Sequence, residues 1–530
     1  MDSFSAGLVV RFGSQLAVVL DNLDAGRTLL VALVESDLSS QDPDTITLGK
    51  DDFASAPFQP CVINTQKTLR LSSSEGAKTS STLTSAALGR IFRRRIEIDA
   101  RRFTQSVHSP MPFEPGDQVH YGSRVFDEKE VQAGINSVLD FWLTLGPQGN
   151  AFQHELARYL GIRFSILVNS GSSANLLAFG ALTSPKLGER RLRPGDEVIT
   201  VAAGFPTTVN PVIQYGCVPV FIDVDPLTGN ARVEQLEDAR TERTRAVMMA
   251  HTLGNPFDLD AVTAFCKQHA LWLVEDNCDS LGSLYHGKLT GTFGDMSTQS
   301  FYPPHHITMG EGGAVNVIRE ARLKLIVESL RDWGRDCWCD PGKDNTCNKR
   351  FKWQLGQLPA GYDHKYIYSH LGYSMKPLDI QAAIGREQLK KLPDFTAARR
   401  RNWARLAAGF KPFEEFFELP EPTPGSEPSW FGFMPLVRPG APFTRRELVD
   451  FFEARQIQTR MLFGGDLTRQ PAYLDLEPVN GRPPFRVIGD LAGADRIMND
   501  AFFLGVYPGL TDTHLDYMLE TLTDFLEARG

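Results

Sequence analysis

Two adjacent histidines, a serine-rich turn, an acidic pair and four spaced cysteines are the residues of this chain with the most chemistry to offer. The histidines close the segment Ser300-Phe301-Tyr302-Pro303-Pro304-His305-His306. An imidazole titrates near pH ~6.5 and moves protons at neutral pH, so a catalytic base is one reading. Polar loop residues and a metal-binding pair are the others, although adjacent side chains seldom converge on one ion. The acidic pair ends the apolar run Leu271-Trp272-Leu273-Val274-Glu275-Asp276. A carboxylate at the C-terminal edge of a parallel sheet faces the usual ligand crevice. There Asp276 can pair with a protonated pyridine nitrogen, or simply cap a helix. Asn169-Ser170-Gly171-Ser172-Ser173-Ala174-Asn175 opens an apolar helix. Small residues at a helix N-terminus leave N–H groups free for a phosphate, and a plain serine cap has the same composition.

Cys278, Cys337, Cys339 and Cys347 are separated by 58, 1 and 7 residues, the last three within the polar segment 335–350. Four thiolates suit a 2Fe-2S cluster or a structural zinc, with scattered buried thiols a third reading. Asp276 and Cys278 lie roughly 7 Å apart along an extended chain, a proximity that zinc, lacking redox chemistry, cannot exploit. Cys61, Cys217 and Cys266 fall outside the pattern and read as packing residues.

These groups need a frame that brings sheet edges and helix N-termini together. Apolar strand patterns at 165–168, 197–201, 218–222, 246–250, 272–275 and 314–318 alternate with helical patterns, as in an α/β domain with a largely parallel sheet. Beyond about Leu392 the order changes, with prolines between 420 and 428, and a smaller C-terminal domain is expected. Short β-branched runs between residues 8 and 71 read as a β-rich accessory domain, an SH3-like barrel resembling that of a toxin endoribonuclease family. Serine and threonine dominate 72–85, so the expected division is 1–72, a linker over 73–107, a cofactor-binding large domain over 108–395 and a small domain over 396–530. The helical pattern from Asp127 to Leu143 leads into the large domain.

The 530 residues, 42% of them hydrophobic, are enough for several cores, and the net charge of −9 gives no general reason to bind nucleic acid or an acidic membrane. Six arginines between Arg90 and Arg102 read better as a solvated helix face. The first twenty residues lack the pattern of a signal peptide, and nowhere do about 18 apolar residues run together. A cytoplasmic location with a small-molecule partner is expected.

Gly195-Asp196-Glu197-Val198-Ile199-Thr200, Pro219-Val220-Phe221-Ile222-Asp223-Val224-Asp225, Glu275-Asp276, Ser300-Phe301 and Gly310-Glu311-Gly312-Gly313 stand in the order of the landmarks of the DegT/StrS sugar aminotransferases. From about Pro112 onward the chain resembles that family. The resemblance implies a type I pyridoxal-phosphate aminotransferase fold, a homodimer and a nucleotide-linked keto sugar as substrate. Position by position, it implies that Gly171, Ser172, Ser173 and Ser300 hold the cofactor phosphate, that Phe205 stacks on the ring and that Asp276 meets its nitrogen. His305 stands five residues after Ser300, where the family has its Schiff-base lysine, and Ser374 replaces an asparagine that reaches a phosphate across the dimer. Imidazole forms no such lasting linkage, so the cofactor is expected as free pyridoxamine phosphate.

With the cysteine spacing, His251-Thr252-Leu253-Gly254-Asn255-Pro256 and Asp332-Trp333-Gly334-Arg335-Asp336-Cys337-Trp338-Cys339 narrow the resemblance to the CDP-4-keto-6-deoxy-D-glucose-3-dehydrase branch of lipopolysaccharide dideoxysugar enzymes. That branch has one residue fewer between the first two cysteines. It implies that His305 takes a proton from the cofactor's methylene as the carbon-3 hydroxyl leaves, with Asp279 near the phenolic oxygen and Tyr302 assisting. It further implies a 2Fe-2S cluster on Cys278, Cys337, Cys339 and Cys347, which passes electrons from a separate flavin and iron-sulfur reductase. The rivals are a cluster-free sugar 3-dehydratase and a pseudoenzyme scaffold whose N-terminal barrel binds RNA or protein.

Overall fold

The computed structural model describes residues 86–109, 111–339, 344–478 and 483–529 with their side chains, and before them the backbone of six strands. The chain divides into two compact units, Met1–Pro110 with Asp127–Phe141, and Met111–Phe126 with Trp142–Gly530.

In the first unit the strands are β1 (Leu8–Phe12), β2 (Gln15–Leu23), β3 (Thr28–Glu35), β4 (Thr45–Leu48), β5 (Cys61–Ser72) and β6 (Lys78–Thr82). They form an antiparallel sheet in the order β4-β5-β3-β2-β1-β6, with β4 and β6 at its edges. Helix α1 (Ser85–Val107) comes next, and α2 (Glu128–Asp140) belongs to the same unit. The expected linker over 73–107 therefore contains a strand and a long helix. Threonines and serines in β6 pair their backbone with β1, which needs no apolar side chain. In α1, Ala87, Ile91 and Ile98 recur at helical spacing and are buried, whereas the arginines that dominate its composition stay on the wet side. Arg94 and Arg95 meet Glu97 and Asp99, and Arg93 reaches Asp140 of α2. The side chain of Cys61 lies outside the described residues.

The second unit holds α3 (Pro147–Leu160), β7 (Phe164–Val168), α4 (Gly171–Leu182), β8 (Glu197–Val201), α5 (Pro206–Gln214), β9 (Val218–Ile222), α6 (Leu236–Ala239), β10 (Thr244–Ala250), α7 (Leu259–Gln268) and β11 (Trp272–Asp276). A short hairpin, β12 (Leu284–Tyr285) and β13 (Lys288–Leu289), precedes β14 (Met296–Ser300), β15 (Gly313–Val317), α8 (Arg322–Arg331) and the 32-residue α9 (Asp379–Phe410). Strands β9-β8-β10-β11-β14 run parallel, β15 is reversed between β14 and β7, β7 thus returns to the common direction, and Arg486–Val487 extends the β9 edge. This is the mostly parallel α/β sheet expected. Strands β8 and β11 are buried along their whole length, as a sheet covered on both faces requires.

The C-terminal part adds a three-stranded sheet of Gly432–Phe433, Phe503–Gly505 and Thr459–Arg460, with helices Arg445–Ala454 and Asp512–Glu527. Phe410, Phe417, Phe433, Phe452, Phe502 and Phe525 form its core. Cys217 and Cys266 are buried packing residues, as read from sequence. Among the described residues no helix is long and apolar enough to cross a membrane.

Candidate active site

The parallel strands β11 and β14 end side by side, and α4 starts beside them, so three chain ends converge on one cavity of about 570 Å³. Ser170 caps α4, its Oγ accepting from Ser173 N at 3.0 Å. The N–H groups of Gly171 and Ser172 are left unpaired among the described residues, at the positive end of the helix dipole. Ser300, ending β14, packs so closely that a Cβ on Gly171 would lie 2.5 Å from Ser300 Cβ and 3.2 Å from Cys278 Sγ. A glycine here is thus a steric requirement. Two free N–H groups beside the Ser172 and Ser300 hydroxyls fit a phosphate group.

Asp276, at the end of β11, is 5% exposed and faces the same cavity. Its Oδ2 accepts from Asn175 Nδ2 at 2.8 Å and Thr208 Oγ1 at 2.7 Å. Cys278 N donates to its Oδ1 at 3.2 Å, and Thr298 Oγ1 donates to Asn175 Oδ1 at 2.7 Å. This set of donors fixes the carboxyl group in place. Phe205, half-exposed at the start of α5, lines the cavity and meets Phe463 edge-on. A phosphate cradle, an oriented carboxylate and an open aromatic face together fit a phosphorylated pyridine cofactor. Glu275 turns the other way: it is fully buried and accepts from Gly291, Phe293 and Gly294 N–H groups and His251 Nε2. It anchors the frame and does not touch the cavity.

The adjacent histidines diverge. His306 Nε2 lies 2.6 Å from Ser429 O, buried, while His305 lines the cavity with Tyr302 on the same turn. A shared metal is thereby excluded for this pair. Burial, reinforced by the Arg399 guanidinium, pushes the His305 pKa down to about 4, against an opposing pull from Asp276. The ring is therefore neutral at pH 7 and able to accept a proton. Asp279 Oδ1 is 3.4 Å from His305 Nδ1, without hydrogen-bond alignment. Burial and the nearby Asp276 push the Asp279 carboxyl up to about 8. Tyr302 is half-exposed, its ring 6.5 Å from that of His305.

The cysteines divide. Cys278 lines the cavity at the start of α4, and burial beside Asp276 and Asp279 holds its thiol well above the usual range. Cys339 is in hydrogen-bonding reach of Cys337 and Cys347. The residue before Cys337, Asp336, is tied to Lys186 and Ser369, beyond the other end of α4. Twelve helical residues span about 18 Å. Three of the four cysteines are thus gathered and Cys278 stands apart, in contrast to the set of four expected from spacing. Among the described residues no group of three or more His, Cys, Asp or Glu is arranged to hold a metal ion. The spacing could not reveal this, because the long gap of 58 residues lets the fold put the first cysteine at a different end of the same helix.

The cavity brings together Gly171, Ser172, Phe205, Asp276, Cys278, Asp279, Ser300, Tyr302 and His305, while Ser173 serves the cap of α4. Residues 126–523 match the model of the DegT/DnrJ/EryC1/StrS aminotransferase family. The chain belongs to that family. The match leaves out the N-terminal β-sheet and α1. Among similar proteins, dTDP-4-dehydro-2,6-dideoxy-D-glucose 3-dehydratase of Saccharopolyspora spinosa is 51% identical over 432 residues, 82% of this chain and 92% of its own. The lipopolysaccharide biosynthesis protein RfbH of Salmonella typhimurium is 51% identical over 434 residues, 82% of this chain and 98% of its own. The solved structure of E. coli GDP-4-keto-6-deoxy-D-mannose-3-dehydratase with bound hydrated PLP aligns with a TM-score of 0.67 at 29% identity, covering 77% of this chain and 100% of that one.

Asn175, Thr208, Thr298 and Arg399 are not reached from sequence. Asn175 stands one turn into the helix that the serine turn opens, so its position is visible there and its partner is not. Nothing local marks the other three.

Proposed function

We propose that this family member is a nucleotide-sugar 3-dehydratase that uses pyridoxamine phosphate and His305 as its base. The observation that carries the reading is an imidazole on the cavity wall, on the turn just after Ser300. Gly171, Ser172 and Ser300 would hold the cofactor phosphate, Asp276 its ring nitrogen and Phe205 its face. When bound, the cofactor supplies an amine to the sugar ketone and a ring that stores electrons. His305 then accepts a proton and can return it to the departing carbon-3 hydroxyl. Asp279, protonated at neutral pH, can donate a hydrogen bond to an oxygen on the ring, with Tyr302 at the rim.

The substrate we favour is a nucleotide-linked 4-keto-6-deoxyhexose, with CDP as the nucleotide, on the way to a 3,6-dideoxy sugar. We take the enzyme to be a cytoplasmic homodimer served by a flavin and iron-sulfur reductase. Cys278, Cys337, Cys339 and Cys347 as arranged in one chain do not fit a shared 2Fe-2S cluster, and no step is derived through one. That geometry favours a second reading, a cluster-free dehydratase. Iron and sulfide assays on anaerobically purified protein separate the two.

The base is tested by solvent hydrogen exchange at the methylene of added pyridoxamine phosphate. General-base removal is expected to cost His305→Asn about 100-fold or more in exchange rate, with cofactor affinity retained. Exchange at the wild-type rate would show that His305 is not the base.

A further inference from the structure

Arg399 lies on α9, outside the cavity lining, and is 1% exposed. A buried guanidinium normally faces a carboxylate. Arg399 forms no direct ion pair among the described residues, and the carboxyl group that acts on it, Asp279, does so from beyond contact distance. Its Nη2 instead donates to the carbonyl oxygens of Pro304 at 3.2 Å and His305 at 3.0 Å, and its Nη1 to Trp430 O at 3.1 Å. Its Nε has no partner among the described residues. A cation so placed is costly to bury and is a poor choice for stability alone, since an apolar side chain could fill the space. Two of its three acceptors belong to the turn that presents His305. The same turn is held from the other side by the His306 to Ser429 contact, and Ser429 Oγ donates to Thr396 Oγ1 of α9.

We propose that Arg399 is a positioning residue for His305, clamping the peptide carbonyls on either side of its α-carbon so that the imidazole stays aimed into the cavity. The inference rests on the reading of His305 as the base. A planar fork with several donors can hold two successive carbonyls and a third across the gap; a lysine ammonium cannot span them in one plane. The charge acts separately from the geometry: it keeps the resting ring neutral and lowers its basicity. His305 is faced by Asp276, Cys278 and Asp279 from the β11 side, by Tyr302 and His306 from its own turn and by Arg399 from α9. Of these Arg399, although burial lowers its pKa to about 9, is the cation at neutral pH, and it disfavours a second positive charge on the ring.

The test uses the full chain with added pyridoxamine phosphate, and His305→Asn as the reference for loss of the base. Arg399→Lys and Arg399→Ala are compared with wild type for methylene exchange, for cofactor affinity and for melting temperature. The pH dependence of His305 carbethoxylation by diethyl pyrocarbonate, read by peptide mass spectrometry, reports on the free protein. The expected result is a loss of exchange of tenfold or more in both variants with cofactor affinity within threefold of wild type. Guanidinium ion added to Arg399→Ala should restore exchange, and the carbethoxylation midpoint should rise in Arg399→Ala, which loses the charge. Wild-type exchange in Arg399→Lys overturns the inference, as does a fall in melting temperature with exchange lost and not restored by guanidinium in the folded fraction. If His305→Asn itself exchanges at the wild-type rate, it is the reading of the base that fails.

Discussion

Replacing Gly171 by alanine tests the phosphate cradle most directly. The glycine sits in ordinary helical backbone, so an alanine carries no conformational penalty, and intrinsic helix propensity would favour it. The penalty is steric. A Cβ placed there lies 2.5 Å from Ser300 Cβ and 2.9 Å from Ser300 Oγ, where ordinary contact begins near 3.4 Å. Either Ser300 or the start of α4 must therefore retreat by about 1 Å. Both carry the proposed phosphate donors, so on that assignment any relaxation spoils the cradle. Overpacking of this kind costs about 1–3 kcal/mol, which at about 1.4 kcal/mol per tenfold corresponds to a cofactor affinity lower by roughly 5- to 150-fold. Titration calorimetry with pyridoxamine phosphate measures the affinity, and the cofactor-dependent rise in melting temperature provides a second reading. Free pyridoxamine, which lacks the phosphate, should bind wild type and variant alike. Affinity for the phosphate ester within threefold of wild type would refute the assignment.

Asp279 and His305 make opposite contributions to stability as pH changes. The folded protein keeps the Asp279 proton from the ordinary carboxyl value of 3.8 up to about 8, while it refuses the His305 proton between 6.5 and about 4. Stability therefore falls with rising pH between about 6.5 and 8 through Asp279, and below 6.5 the two effects offset each other. Asp279→Asn should flatten the decline in melting temperature over that upper window and expose a loss on acidification below it; an unchanged profile relative to wild type would contradict the assignment. Glu275→Gln sets an amide against three backbone N–H donors and strips His251 of its partner. Loss of about 3–5 kcal/mol in urea unfolding is expected with unchanged m, and a loss below about 1 kcal/mol would show that the buried charge does not anchor the frame.

Much of the scaffold is legible because its signals are local. Strands 197–201 and 218–222 can be read with their observed ends, since a doubly covered parallel sheet writes itself as short apolar runs between helices. Strand β14 escapes. Its sequence, Met-Ser-Thr-Gln-Ser, is largely polar, yet all five residues are buried; Ser297 and Thr298 find partners in Gly291 and in Asn175 of α4 that no local pattern shows. In the opposite direction, 73–107 reads as a linker because serines and arginines dominate its composition, while the few apolar residues that α1 buries are outnumbered.

By itself the sequence determined the cradle, the acidic strand end and the absence of a lysine at position 305, each a short string whose chemistry survives without a fold. Only the tertiary structure decided what surrounds them. It separated His305 from His306, set Asn175 and Thr208 on Asp276, placed Cys278 by the start of α4 and Asp336, the neighbour of Cys337, on Lys186 beyond its far end, and brought Arg399 beneath His305 from a helix nearly a hundred residues downstream. The reason is physical: burial and charge proximity are properties of residues distant in sequence and adjacent in space, and it is those that keep the imidazole uncharged at neutral pH.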